Sequence, residues 1–325
     1  MNPYLIGRKI IQAFVLAILV AAVIYVVYRL MPGNPAELLM FGATHKAGLS
    51  AQKLKSVEAS LGLAGGKWNP VNFFIYMRDM FTFNFGYDYF QNLSVWDIIK
   101  IALPYTFLLF GVAGVLAFII GIPLGIVTSW VRGTRKESGL ISSANVLNAI
   151  PFFVLAVVLV LYLTALYPIF PVNETYLQLS WLRTNPLKVA YYLFLPVTSL
   201  VVIEGSAHLL TTRAAMVGIL GEDYIGTARA KGVTEGNVMF HHAARNAMIP
   251  ISTRIALELA LLMSGAVIVE IIFSYPGIGH LLYNATLELD YPLAEGALFV
   301  ISLVTIITYS GVDFIHAWLD PRIKL

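Results

Sequence analysis

The chain has 325 residues, 58% of them apolar and 12% charged, with a mean hydropathy of +0.78. A soluble domain carries roughly twice that charge fraction, so a soluble globular protein is excluded and an integral membrane protein is indicated. The formal net charge of +3 calls for no nucleic-acid partner, and the absence of cysteine removes disulfides, thiolate metal sites and cysteine nucleophiles.

Long uncharged runs with little period-2 alternation predict an all-α, polytopic architecture rather than a β-barrel. Six apolar segments reach the roughly 20 residues that a bilayer requires. They are Ile10–Met31, Ile101–Val131, Leu140–Leu166, Val189–Leu210, Ala247–Phe273 and Leu293–Trp318. The first lacks a small-residue cleavage site and reads as an uncleaved anchor. The second, roughly 45 Å of helix, must tilt or project beyond the bilayer. Residues 1–100 thus form one span and a long extracytoplasmic segment, and residues 101–325 a five-helix core. Pro104, Pro151, Pro196 and Pro250 are expected in or near the first turns of four spans, where a missing N–H costs least.

Positive charge sets the expected orientation. Arg8, Lys9, Arg132, Arg135, Lys136, Arg213, Arg229, Lys231, Arg245, Arg322 and Lys324 share one side, against Arg183 and Lys188 on the other. Both termini are expected in the cytoplasm. Pro32–Lys100 is expected outside, with a short helix near Ser50–Leu61. Its aromatic-rich part, Phe73–Phe90, suits an interface, a loop lying on the membrane, or simple packing over its own bundle.

The stretch Gly221–Asn246, within a cytoplasmic loop over 213–247, is polar yet helix-forming in composition. Tyr224, Ala228, Lys231 and Gly232 are spaced to share helical faces, and Ala228 with Gly232 forms a small-residue patch that another surface could approach. Gly232 is expected to end one helix and Thr234 to cap a second. The basic residues Arg229, Lys231 and Arg245 are balanced by Glu222, Asp223 and Glu235, which disfavours an anionic-lipid anchor. Balanced charge beside Tyr224, Ile225, Val233 and Phe240 suits protein docking, and equally a helix packed on its own bundle.

Charges within spans are costly, ~2.5–3.5 kcal/mol each at the membrane centre. Glu204 and His208 lie four apart on one face of the fourth span, placed to pair or to line a translocation path. Arg254 and Glu258 read as an i,i+4 ion pair. Glu270 and Glu295, near outer ends, are expected to reach water, and Asp313 and His316 lie near the inner end of the last span. No histidine cluster suits a metal, since adjacent His241 and His242 point about 100° apart on a helix. No catalytic constellation is present, and Gly66-Lys67 is no phosphate loop, because Trp68 replaces the Ser/Thr and Leu61 the first glycine.

Ordered strings along nearly the whole chain carry a family resemblance. Asp223-Tyr224-Ile225, Thr227-Ala228-Arg229-Ala230-Lys231-Gly232 and Arg245-Asn246-Ala247-Met248-Ile249-Pro250 resemble the cytoplasmic loop of ABC-importer permeases. Leu30-Met31-Pro32-Gly33-Asn34-Pro35-Ala36, Asn84-Phe85-Gly86, Leu103-Pro104-Tyr105-Thr106 and Gly121-Ile122-Pro123-Leu124-Gly125 are similar to the first part of the B-type permease of dipeptide, oligopeptide and nickel systems. Tyr275-Pro276-Gly277-Ile278-Gly279, Asp290-Tyr291-Pro292 and Leu319-Asp320-Pro321-Arg322 resemble its end. One departure is Gly226-Thr227-Ala228, where the generic importer loop has Glu-Ala-Ala.

The resemblance implies the type I ABC importer permease fold, six helices with a cytoplasmic coupling helix. It implies contact with the ATPase through Asp223, Tyr224, Ala228, Arg229, Ala230, Lys231 and Gly232. It also implies a homologous second permease subunit, two ATPase subunits holding ATP and magnesium, and an external substrate-binding protein docking on Pro32–Lys100 and Ser274–Tyr291. This chain itself is expected to bind no cofactor and to be no enzyme. Its place is a prokaryotic cell membrane, and its substrates are short peptides, oligosaccharides or nickel. The reading from another class is a stand-alone secondary transporter, with Glu204, His208 and Asp313 carrying coupling protons.

Overall fold

The computed structural model describes residues 3–30, 70–171, 177–248, 251 and 267–319, with side chains from residue 7 and up to residue 311. The expected helix near Ser50–Leu61, the Arg254–Glu258 pair, most of the fifth span and the side chains of Asp313 and His316 lie outside that set. Among the described residues the structure is helical, with one isolated bridge between Tyr87 and Ser94. In chain order the elements are α1 (Pro3–Leu30), α2 (Pro70–Phe81), α3 (Val95–Trp130), α4 (Arg135–Ala149) and α5 (Phe152–Val160), which runs on as a π-helical turn over Leu161–Leu166. They continue as α6 (Trp181–Thr184), α7 (Pro186–Leu220), α8 (Asp223–Ala230), α9 (Glu235–Asn237) with a π-helical turn over Val238–Ala243, α10 (Ile278–Leu287) and α11 (Tyr291–Leu319).

Four helices are long and apolar enough to cross a membrane: α1, α3, α7 and α11. Where a third span was expected, α4 and α5 meet at an 85° bend, the geometry of a broken span or of a re-entrant pair. Pro151 stands at that break, directly before the first turn of α5. Pro104 and Pro196, by contrast, are not in first turns. Helix α3 begins at Val95 and α7 at Pro186, which leaves both prolines in helix interiors. The start of α7 has a local cause. Asn185 Oδ1 accepts the Lys188 N–H at 3.2 Å and Pro186 occupies the first helical position, where its missing N–H is one of the orphans. At the other end α7 continues to Leu220, so Arg213, expected in a loop, is helical.

The chain divides into two compact units. The larger comprises residues 105–276 and 308–325. Its first apolar cluster joins α3, α5 and α7 through Leu109, Phe110, Ala156, Leu193 and Leu200, together with Val269 and Phe273. Helices α3 and α7 touch backbone to backbone. A Cβ on Gly121 would lie 2.5 Å from Gly205 O and 2.6 Å from His208 Cβ, and one on Gly125 would lie 2.5 Å from Thr212 Cβ. These contacts leave no room for a side chain, which explains two glycines in the middle of a long helix despite their helix propensity.

The smaller unit comprises residues 1–104 and 277–307. Its loop between α2 and α3 is closed by Asp88, whose carboxylate accepts the N–H groups of Phe90, Gln91 and Leu93 at 3.2, 2.8 and 2.8 Å. Asp290, fully buried, accepts the N–H of Tyr89 at 3.0 Å and of Leu293 at 3.2 Å. Burial pushes its carboxyl up to about 6 from 3.8, although the two N–H groups favour the charged form. A raised folded-state value means that this group's contribution to stability is present at acid pH and lost as pH rises through the window from 3.8 to about 6. Asp290→Asn, which keeps an acceptor for Tyr89, is expected to flatten the dependence of melting temperature on pH across that window. A variant with the same slope as the parent would refute the assignment.

Candidate functional site

Helix α7 ends at Leu220, and Gly221 with Glu222, the latter in extended conformation, are all that separate it from the first residue of α8. Asp223 sits in the first turn of α8 and Arg229 in the last, both complementing the helix dipole. The helix stops through a Schellman arrangement. Val233 N–H donates to Ala228 O at 3.2 Å and Gly232 N–H to Arg229 O at 2.9 Å, with Gly232 at φ +79°. Only glycine adopts that conformation without strain. A Cβ there would meet nothing within 4 Å, so the requirement is conformational rather than steric. Thr234 then opens α9 in extended backbone but makes no side-chain cap bond.

Most aliphatic residues of this segment face inward. Ile225, Val238, Ala243 and Ala247 are fully buried and Met239 nearly so, packed with Ile126 of α3 and Met216 of α7. The outward side carries Asp223, Tyr224, Gly226, Thr227, Arg229, Ala230, Lys231, Gly232 and Phe240. Two side chains, Asn246 and Arg229, make local bonds along it. Asn246 Nδ2 donates to Tyr224 Oη at 2.9 Å and to His242 O at 3.0 Å. Arg229 reaches Glu235 through Nε and Nη2 at 2.8 and 3.2 Å. Both partners of that pair are about half exposed, so it adds little stability.

The expected small-residue patch does not form. Ala228 is buried against its own bundle, and Gly232 lies beyond the helix end. The remaining residues singled out here (Asp223, Tyr224, Arg229, Ala230, Lys231 and Gly232) are all exposed and lie together. One face of the segment therefore packs on its own bundle, while the other is exposed in this chain.

Glu204 and His208 separate in environment. Glu204 is half-buried, whereas His208 is buried in the α3–α7 contact with its ring 4.7 Å from Phe118. His208 therefore contributes to the packing of α3 on α7. Glu270 does not reach water: it is fully buried and accepts the Thr106 hydroxyl at 2.6 Å. A hydrogen-bonded carboxyl avoids the cost of an unsatisfied one at such a site.

Sequence reasoning overlooked the contact between Glu137 and Arg213. Arg213 donates through Nε and Nη2 to Glu137 Oε1 at 3.1 and 2.7 Å, tying the start of α4 to the carboxyl-terminal part of α7. Glu137 also accepts the Gly133 N–H at 2.6 Å, and Thr134 Oγ1 accepts the Glu137 N–H at 3.3 Å. The signal was available as Thr134-x-x-Glu137, a capping-box spacing just before an apolar run.

Known proteins align with the whole of this arrangement. The chain is 29% identical over 327 residues to a probable peptide ABC transporter permease protein, y4tP, of Sinorhizobium fredii, with 100% of each chain covered. It is 29% identical over 329 residues to a putative peptide transport system permease protein of Brucella melitensis, covering 100% of this chain and 99% of the other. It is 28% identical over 315 residues, 91% of each chain, to the dipeptide transport system permease protein DppB of Escherichia coli. Residues 121–325, which include the α3–α7 contact and the α8–α9 surface, match a family described by its place in a larger transport machine. This multi-pass membrane chain belongs to the family of binding-protein-dependent transport system inner membrane components.

Proposed function

We propose that the chain is a permease subunit of an ATP-driven ABC importer for short peptides, and that α8 with the turn to α9 is its coupling helix. The observation that carries this reading is the two-sidedness of residues 221–248, whose apolar side chains anchor them to α3 and α7 while Asp223, Tyr224 and Arg229–Gly232 stay outward. Such a surface, rigid and joined to a spanning helix by two residues, suits transmission of movement from an ATPase. In this reading two ATPase subunits hold ATP and magnesium, and this chain binds no cofactor. A homologous second permease completes the path, an extracytoplasmic binding protein delivers substrate, and both termini are cytoplasmic in a prokaryotic inner membrane. The peptide assignment rests on the names of the relatives. Oligosaccharide or nickel remains the alternative cargo, to be separated by mass spectrometry of ligand retained on the cognate binding protein.

The test is reconstitution of the complete importer with Arg229→Glu and Lys231→Glu combined. Uptake is expected to fall by an order of magnitude or more, on the scale of an interface anchor, while the variant still inserts and ATP hydrolysis loses its response to the binding protein. Unchanged coupled uptake would remove α8 from the coupling role. Transport by the purified chain alone, driven by a proton gradient and insensitive to ATP, would instead establish the stand-alone transporter.

A further inference from the structure

Pro196 lies buried in the interior of α7, and its ring nitrogen carries no hydrogen. The helical ladder therefore lacks one bond, the one that would end on the carbonyl of Tyr192, one turn earlier. A backbone acceptor beside a buried residue calls for a donor. The Ser199 hydroxyl, on the next turn, does not serve it, because it donates to Pro196 O at 2.8 Å. Tyr192 and Pro196, the two ends of the missing bond, both line a pocket of about 20 Å³. Its wall also contains Pro171, Pro276 and the turn Phe273–Ser274–Tyr275.

Most donors in that wall are already used. The prolines have none. Phe273 N–H donates to Val269 O at 3.1 Å, Ser274 N–H to Ile271 O at 3.1 Å and Tyr275 N–H to Glu270 O at 2.8 Å. Tyr275 Oη donates to Tyr105 O at 2.9 Å. The Ser274 hydroxyl makes no hydrogen bond within the described residues. Serine is also an unusual choice for this place. It ends a helix in a Schellman arrangement at φ +47°, where glycine is the common residue. Glycine would relieve the strain but leave the pocket without that hydroxyl. A pocket of this volume admits a water, for which roughly 10–15 Å³ suffices when polar partners surround it. Water is also among the species that satisfy backbone groups freed by a proline inside a helix. An alkyl group in the same place would leave both oxygens unsatisfied.

We propose that this pocket holds an ordered water that donates to Tyr192 O in place of the amide Pro196 lacks, and that Ser274 Oγ holds the water there. Ser274 is then a positioning residue for α7, joining the proline break to the turn at 273–275 through solvent. The test is a double-mutant cycle on the full-length chain in lipid nanodiscs, read as the midpoint of thermal unfolding. Ser274→Ala keeps the Cβ and the backbone strain and removes only the hydroxyl. It is expected to lower the midpoint by roughly 2–4 °C, the size of one buried hydrogen bond. Pro196→Ala returns an N–H to Tyr192 O, so in that background Ser274→Ala is expected to shift the midpoint by less than about half as much. Equal losses in both backgrounds would overturn the proposal. A density map that resolves ordered solvent is expected to place a water within hydrogen-bond distance of Tyr192 O and Ser274 Oγ in the parent chain. A parent pocket that is dry, or filled by a lipid chain, would also overturn it. Neither measurement involves an ATPase or a second permease, so both are independent of the importer reading.

Discussion

Placing alanine at Gly121 or Gly125 is expected to abolish a well-behaved, monodisperse protein, although alanine is the better helix former. The added Cβ at Gly121 would lie 2.5 Å from a backbone carbonyl, that of Gly205, and no flexible side-chain end is available to yield. Overpacking costs about 1–3 kcal/mol even where side chains can adjust, and here two helices must move apart. Gly205→Ala supplies the contrast, because the nearest atom to its Cβ is Ala117 O at 3.8 Å. That variant should match or exceed the parent, by up to about 1 kcal/mol from helix propensity. Fluorescence-detected gel filtration after a heat step measures both. Equal tolerance of alanine at all three positions would refute the close contact of α3 and α7.

Ile225→Ala is expected to have the second largest effect, and a different one. Ile225 is fully buried, held among Met216, Ile126 and Met239 on the inward side of α8. Loss of such a side chain typically costs about 2–5 kcal/mol. The spanning helices do not depend on it, so insertion and yield should persist while uptake by the complete importer falls steeply. Limited proteolysis should show faster cleavage over residues 221–240 in the variant. A variant as protease-resistant as the parent and fully active would show that α8 is not held by this contact. Tyr224→Ala, on the outward side, separates docking from folding, since it should leave the proteolysis rate within about twofold, the margin for a surface change of a few tenths of a kcal/mol.

Apolar run length made the spans legible, but it placed their ends poorly. Val95–Lys100 and Pro186–Lys188 are too polar to score as membrane, yet they are helical because Ser94 and Asn185 open helices there. Hydropathy reports what the bilayer solvates, whereas helix ends are set by capping. The break at Pro151 was legible only in part, because the proline marks a helix start but not the 85° by which the chain turns there. At the α8 surface, composition identified the outward residues but placed Ala228 among them. Small size reads the same whether a residue admits a partner or, as here, fits against its own bundle. The packing of α2 was illegible for a further reason. Its contacts are with Phe14, Tyr25 and Phe299, distant in sequence, and no local pattern encodes them.

The two-residue joint between α7 and α8 has a mechanical meaning. Helix α8 is clamped at Ile225 and α7 is one continuous rod of 35 residues, so a displacement imposed on α8 arrives at α7 with little backlash. Any bending of the rod at Pro196, where a backbone N–H is missing, divides it into arms of roughly 36 and 15 Å. With the long arm on the α8 side, the lever trades stroke for force: a given push at α8 becomes a motion less than half as large, and correspondingly stronger, at the opposite end.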